Sequence, residues 1–189
     1  MPKLPALFVL LATAATPAIA ANPHADRMAE LVAERLRPIA QEAIFVEAIL
    51  AQNAAQTLSQ EEIDRLDNEW MATVGTAEAP LIDMIAARPA SARLVQIQDE
   101  ADGYFTEIFI MDHQGMNVAM SEPTSDYWQG DEAKWQQTYA VGPEAVHVSG
   151  VTFDESAQVY QLQVSFTITG PDGAPIGAVT FGIDAEQLD

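Results

Sequence analysis

The chain has 189 residues, with 28 Asp and Glu against 8 Lys and Arg, a formal net charge of −20 and no cysteine. That acid excess excludes a nucleic-acid partner and docking on an anionic bilayer, both of which need a basic face, and the missing thiols exclude disulfides, Cys-ligated metal and thiol catalysis. A hydrophobic fraction of 49% beside 19% charged residues describes a chain that buries a core rather than an acidic disordered one.

Residues 1–20 read as a signal peptide. Lys3 supplies a short positive start, Leu7–Ala15 an apolar stretch of nine residues, and Ala18-Ile19-Ala20 a small-x-small cleavage pattern. The apolar stretch is short for a membrane anchor, and no later run approaches the roughly 20 residues of a span. Cleavage near Ala20 places the mature chain in the periplasm or outside the cell, with a net charge of −21 because only Lys3 is lost.

Residues 21–102 then form a helical part. Met28, Val32, Leu36, Ile39, Ala43, Val46 and Leu50 make one helical stripe over residues 24–58, interrupted or kinked at Pro38. The stripe either packs within its own subunit or forms the seam of a homodimer. Ser59-Gln60-Glu61-Glu62 is a capping box that starts a second helix, closed at Gly75. Thr76 caps a third helix over residues 77–87, ended by Pro89, and residues 90–98 make a further short helix.

From Gly103 to Asp189 the period changes to two, and the chain reads as a sheet domain packed with the helices as one unit. Residues 104–111 and 116–121 are strands joined by the turn Asp112-His113-Gln114-Gly115. A polar and aromatic crossover of 24 residues, 122–145, holds a short helix near residues 131–139. Residues 147–153, 159–169 and 176–184 complete five strands, the last two joined by a hairpin at Gly170-Pro171-Asp172-Gly173. The fold class is therefore α+β: a long N-terminal helical part and a five-stranded antiparallel PAS-like sheet with helices on one face.

Three stretches carry a resemblance. Residues 107–121, EIFIMDHQGMNVAMS, and residues 124–135, TSDYWQGDEAKW, resemble the strand–turn–strand and the following segment of Cache domains, also called PDC sensor domains. Phe153–Ser156 and Ile176–Gly182 are similar to later strands of that family. The resemblance implies an extracytoplasmic PAS-like sensor whose sheet and crossover enclose a small ligand, coupled to a kinase or receptor output. The sequence ends just after the last strand, so the expected output lies in a membrane-bound partner.

Within the crossover, Tyr127, Trp128, Trp135 and Tyr139 stand beside Asp126, Asp131, Glu132 and Lys134, the residue types of an apolar pocket with a few polar groups. The alternative is that these aromatics only pack the crossover onto the sheet. Candidate ligand-binding residues are Tyr104, Asp126, Tyr127, Trp128, Lys134, Trp135, Tyr160 and Gln163. The row Gln161, Gln163, Ser165 and Thr167 faces either the pocket or solvent. The sheet half carries 13 acidic residues and a single basic one, Lys134. Carboxylate ligands are held by Arg forks, so a neutral or cationic ligand is favoured, and an anion would depend on Lys134, backbone N–H groups or helix arginines such as Arg88 and Arg93.

No cofactor is expected. Asp126, Asp131 and Glu132 offer oxygen ligands for calcium without EF-hand spacing, and His24, His113 and His147 lack zinc spacing, so no metal site is assigned. No nucleophile elbow or P-loop is present, and the chain is not read as an enzyme. Two other readings stand beside the sensor: a structural or adaptor protein with the same fold and no ligand, and a calcium-binding module.

Overall fold

A computed structural model describes residues 23–154 and 158–188. The expected signal peptide lies outside the described residues. Chain order is α1 (Ala25–Leu31), a π-helical turn (Val32–Leu36), α2 (Arg37–Ala40), α3 (Ala43–Ala55), α4 (Gln60–Thr73), α5 (Pro80–Ala86), α6 (Pro89–Glu100), β1 (Phe105–Met111), β2 (Asn117–Met120), α7 (Ala133–Gln136), β3 (Val146–Val148), β4 (Thr152–Asp154), β5 (Val159–Thr169) and β6 (Pro175–Asp184).

The N-terminal stripe holds only as far as Pro38. Met28, Val32 and Leu36 are fully buried in the first core. Pro38 has no N–H for the carbonyl one turn before it, and the π-helical turn just upstream widens the ladder to accommodate this. The break itself comes at Gln41 and Glu42, where Glu42 adopts ψ 137°. That break resets the helical phase, so Phe45 and Ile49 enter the core while Ala43 and Leu50 face outward.

Downstream, Ser59 and Glu62 form the expected reciprocal box: Ser59 Oγ accepts from the Glu62 N–H at 3.4 Å and Glu62 Oε2 from the Ser59 N–H at 3.0 Å. Thr76 does not cap α5. That helix starts at Pro80, whose fixed φ suits the first turn, and Pro89 opens α6 in the same way.

The strands form one antiparallel sheet in the order β2-β1-β6-β5-β3, with β4 also pairing on β5. Six strands stand where five were expected, because residues 147–153 bend at 149–151 and divide into β3 and β4, both on β5. Counted as one interrupted strand, they give the PAS-like order. Helices cover both faces, not one. On the first face, α1, α3 and α6 bury Ile108, Ile110, Leu162, Val164, Phe166, Val179 and Phe181. On the second, α4, α5 and the crossover bury Phe109, Met111 and Ala178 with Trp70, Ile85 and Tyr127. Among the described residues no helix is long and apolar enough to cross a membrane.

Candidate functional site

Strand alternation sends one row of β5 toward the second face. Leu162, Val164, Phe166 and Ile168 meet the helices, so Gln161, Gln163, Ser165 and Thr167 must turn toward the crossover. Gln161, Ser165 and Thr167 are buried there, not solvated, and the Ser165 and Thr180 hydroxyls bond each other at 2.9 Å. Register sets Glu107 of β1, Gly182 of β6 and Gln163 of β5 abreast.

Over this row lies a cavity of about 250 Å³, lined by Glu107, Phe109, Gln129, Lys134 and Gln163, with Glu132 and Asp154 at its margin. Gly182 makes room for it. A Cβ there would strike Thr106 Oγ1, Gln161 Oε1 and the Glu107 side chain, so the glycine lets the carboxylate lie flat across the central strand. Glu107 Oε1 accepts from Gln161 Nε2 at 2.8 Å and from Gln163 Nε2 at 2.9 Å. Its other oxygen, Oε2, has no hydrogen-bond donor among the described residues. Burial pushes the Glu107 carboxyl above the usual carboxylate range, against the pull of the two amides and of Lys134.

Lys134 reaches in from α7. Its Nζ lies 2.9 Å from Glu132 Oε2, donates to Gln129 Oε1 at 3.0 Å, and stands 5.3 Å from the centre of the Phe109 ring. Among the described residues Lys134 is the one ammonium facing this cavity and is already paired, while Glu107 has amides and no ion pair. Asp154 accepts from Gln161 Nε2 at 2.8 Å on the far side of that amide. The arrangement holds three carboxylates and one ammonium and presents a free carboxylate oxygen, the chemistry for gripping a small cationic or N–H-rich group.

Of the candidate ligand-binding residues, Lys134 and Gln163 line this cavity, as does Glu132 of the calcium alternative. Trp128 and Trp135 do other work: their indole N–H groups donate to the carbonyls of Gln114 (2.8 Å) and Asp112 (3.2 Å), clamping the crossover onto the β1–β2 turn. Gly115 permits that clamp, with φ +85° and a Cβ position only 2.5 Å from the Gly130 Cα. Tyr127 is buried beneath the crossover, stacked on Trp70 at 5.2 Å, and burial raises its hydroxyl to about 12.

Asp126 contributes its backbone: its carbonyl accepts from Asn117, Thr124 and Gln129, and its carboxylate from Ser125. Tyr104 packs edge-on against Phe105 beside the first core, and Tyr160 is 62% exposed next to Phe153, so neither joins the cavity. The sequence reading passed over Glu107, Phe109, Gln129 and Asp154. Glu107 did carry a signal, being a lone charge inside the apolar run of β1.

The crossover is latched from α4. Asp67 Oδ1 accepts the backbone N–H groups of Tyr127 and Trp128, each at 2.9 Å. Burial and the nearby Asp126 and Asp131 raise its carboxyl despite those two donors. Asp67→Ala leaves both N–H groups without an acceptor and is expected to cost about 1–3 kcal/mol, read as a lower denaturation midpoint, whereas Asp67→Asn, which keeps an oxygen there, costs less.

No group of three or more His, Asp or Glu side chains among the described residues is placed to hold a metal ion. Asp112, fully buried, spends its carboxylate on the N–H groups of Gln114 and Met116 and on Gln52. Burial lowers His147 at the sheet edge, keeping it neutral.

No known protein family's profile matches the chain, and no curated protein matches it. Solved structures similar to it include sensor domains. The sensor domain of the Vibrio cholerae histidine kinase DctB shares 14% identity over 86% of this chain and 54% of its own, with a TM-score of 0.48. The sensory domain of the Campylobacter jejuni chemoreceptor Tlp3 shares 11% identity over 86% of this chain and 66% of its own, at 0.43. The ligand-binding domain of the Pseudomonas aeruginosa amino-acid chemoreceptor PctC, in complex with GABA, shares 15% identity over 87% of this chain and 62% of its own, at 0.37. The chain spans between half and two-thirds of these domains' length.

Proposed function

We propose that this protein is a noncatalytic, extracytoplasmic sensor domain that binds a small molecule beneath the crossover and signals through a membrane-bound kinase or receptor. One observation carries the reading: Glu107, on the floor of the cavity, has one carboxylate oxygen saturated by two glutamine amides and the other open to the space above. A ligand ammonium or amide would seat on that open oxygen, with Phe109 as an apolar wall. A ligand carboxylate, if the molecule is zwitterionic, would have Lys134 at the opposite side. The favoured ligand is therefore cationic or neutral overall. The resemblance of residues 107–121 and 124–135 to Cache domains agrees with this use of the cavity.

Signal output would follow from the latch. A ligand that contacts Gln129, Lys134 and the sheet together draws the crossover down, and α4 follows through Asp67 and Trp70. The N-terminal helices on the opposite face share the same strands, so an occupied cavity shifts their population toward one arrangement.

The test is a titration panel of primary amines and amino acids, their N-acetylated analogues, dicarboxylates and phosphates, read by calorimetry and by melting temperature. Binding the native state raises the melting temperature by mass action. The expected result is that amines bind and acetylation removes the effect. A panel in which only dicarboxylates or phosphates bind overturns the reading, and one in which nothing binds supports an adaptor with the same fold.

A further inference from the structure

A second hollow, of about 630 Å³, opens between α3, α4, α5 and the start of α6. It lies beside the edge strand β2, away from the cavity over Glu107. Its size is within the range of small-molecule sites. Its walls are apolar. Because α3 sends Phe45 and Ile49 into the core, Ile44, Ala48 and Ala51 line one wall of the hollow and Leu81 and Met84 of α5 line another. Met84 is 50% exposed, a large thioether left on the rim of an open cleft.

One cation enters this apolar space. Arg88, held just before the Pro89 that opens α6, donates through Nη1 to Gln52 Oε1 at 2.7 Å and to the Val118 carbonyl at 2.8 Å. Gln52 in turn donates to the buried Asp112 at 2.8 Å, so the guanidinium is aimed by a relay and not held by an ion pair. No carboxylate among the described residues forms an ion pair with it, although the chain carries 28 acids. Its Nε and Nη2 have no partner among the described residues, which leaves one edge of the planar fork open. Burial disfavours its charge, against the pull of Tyr127 and of the Asp112 carboxylate beyond Gln52. Tyr127 lines the same end of the cleft.

An apolar trough that closes on an unpaired, pre-oriented guanidinium fits one chemistry. The geometry points to a second ligand site in this cleft, for an amphipathic monocarboxylate whose hydrocarbon chain lies between α3 and α5 and whose carboxylate takes the Nε–Nη2 edge of Arg88. Carboxylates pair with that edge in two parallel hydrogen bonds, which a lysine at the same place would not reproduce. The site differs in charge preference from the cavity over Glu107 and does not rest on it. The two are linked through Tyr127, which belongs to the crossover that roofs the other cavity.

Octanoate, octanol and octylamine, each below its micelle concentration, form the test. They are titrated into the full mature chain while melting temperature and tryptophan fluorescence are followed, since Trp70 stacks on Tyr127 at the cleft. Octanoate is expected to raise the melting temperature and change the fluorescence in the wild type and in Glu107→Gln alike, whereas any response to octylamine, an amine suited to the Glu107 cavity, should be lost in Glu107→Gln. Arg88→Gln should weaken octanoate at least ten-fold and erase its advantage over octanol. Ala51→Phe, at an exposed wall position, should block octanoate and octanol while leaving Arg88 in place and the fold intact.

Equal responses to octanoate and octanol in the wild type, octanoate binding unchanged by Arg88→Gln, or no response to octanoate at all would each overturn the proposal. So would a concentration-dependent dimer that Ala51→Phe turns into a monomer, which would make the cleft a self-association groove.

Discussion

Glu107→Gln is expected to make the protein more stable and blind to amines. In the wild type the carboxylate is ringed by protein, and burial raises its affinity for a proton. An acid whose folded value lies above its unfolded value stabilises the native state only while protonated. That contribution is present below the unfolded value and lost as pH rises through the folded one. A glutamine keeps the shape, still accepts from Gln161 or Gln163, and carries no charge to bury. Below about pH 4, near the ordinary Glu value, the variant and the wild type should melt together. As pH rises the wild type falls behind, and the gap should settle at about 2–4 °C, which is roughly 1 kcal/mol for a chain of this size.

The same substitution removes the charge that seats a ligand ammonium. Amine affinity should drop 10- to 100-fold, about 1.4–2.8 kcal/mol. In the wild type, amine affinity should also weaken as pH falls through the folded Glu107 value, because the cation then competes with a proton. A variant that melts below the wild type at pH 7 and binds amines equally would remove Glu107 from the site.

The α+β frame was legible in the sequence because its signals are local. The Ser59–Glu62 box, the alternation of residues 159–169 and the glycine-bearing turns each fix their own few residues. What failed did so where the phase of the pattern changes. The break at Gln41–Glu42 shifts the phase of α3, and no periodicity read from before Pro38 predicts it. The bend at 149–151 divides a strand at Gly150, where the alternation slips by one position from Val146 and Val148 to Val151 and Phe153.

The candidate site was legible in part, for a related reason. Aromatic composition marked the crossover, and Lys134 and Gln163 of that reading do line the cavity. Composition does not reveal which way an indole N–H points, and two of the marked tryptophans spend theirs on the β1–β2 turn. The polar row on β5 had two readings, and only the presence of α4 and the crossover over that face decides that it is buried. Glu107 needed Gly182, seventy-five residues on and one strand over, before its carboxylate had a place to lie.

The residue on which the second face turns is one the sequence reading left out. Trp70 is fully buried in α4, donates its indole N–H to the Thr124 carbonyl at 2.7 Å, and stacks on Tyr127 with an interplanar angle of 17°. It holds the start of the crossover at one point while Asp67, three residues earlier on the same helix, holds Tyr127 and Trp128 at the next. Trp70→Ala opens a cavity between helix and crossover and orphans a buried carbonyl, and is expected to cost about 3–5 kcal/mol, a fall of roughly 10 °C in melting temperature.

Trp70→Phe keeps most of the stack and loses only the hydrogen bond, about 1–2 kcal/mol. The consequences should be local before they are global. Amide exchange should speed up across residues 122–129 and α4 in both variants, and remain slow in β5 and β6, whose cores lie mostly on the other face. If α4 and the crossover are the coupled element, ligand affinity at the Glu107 cavity falls in proportion to that loosening. Trp70→Ala melting within 2 °C of the wild type, or exchange that rises equally in every strand, would show that this helix is not what holds the crossover down.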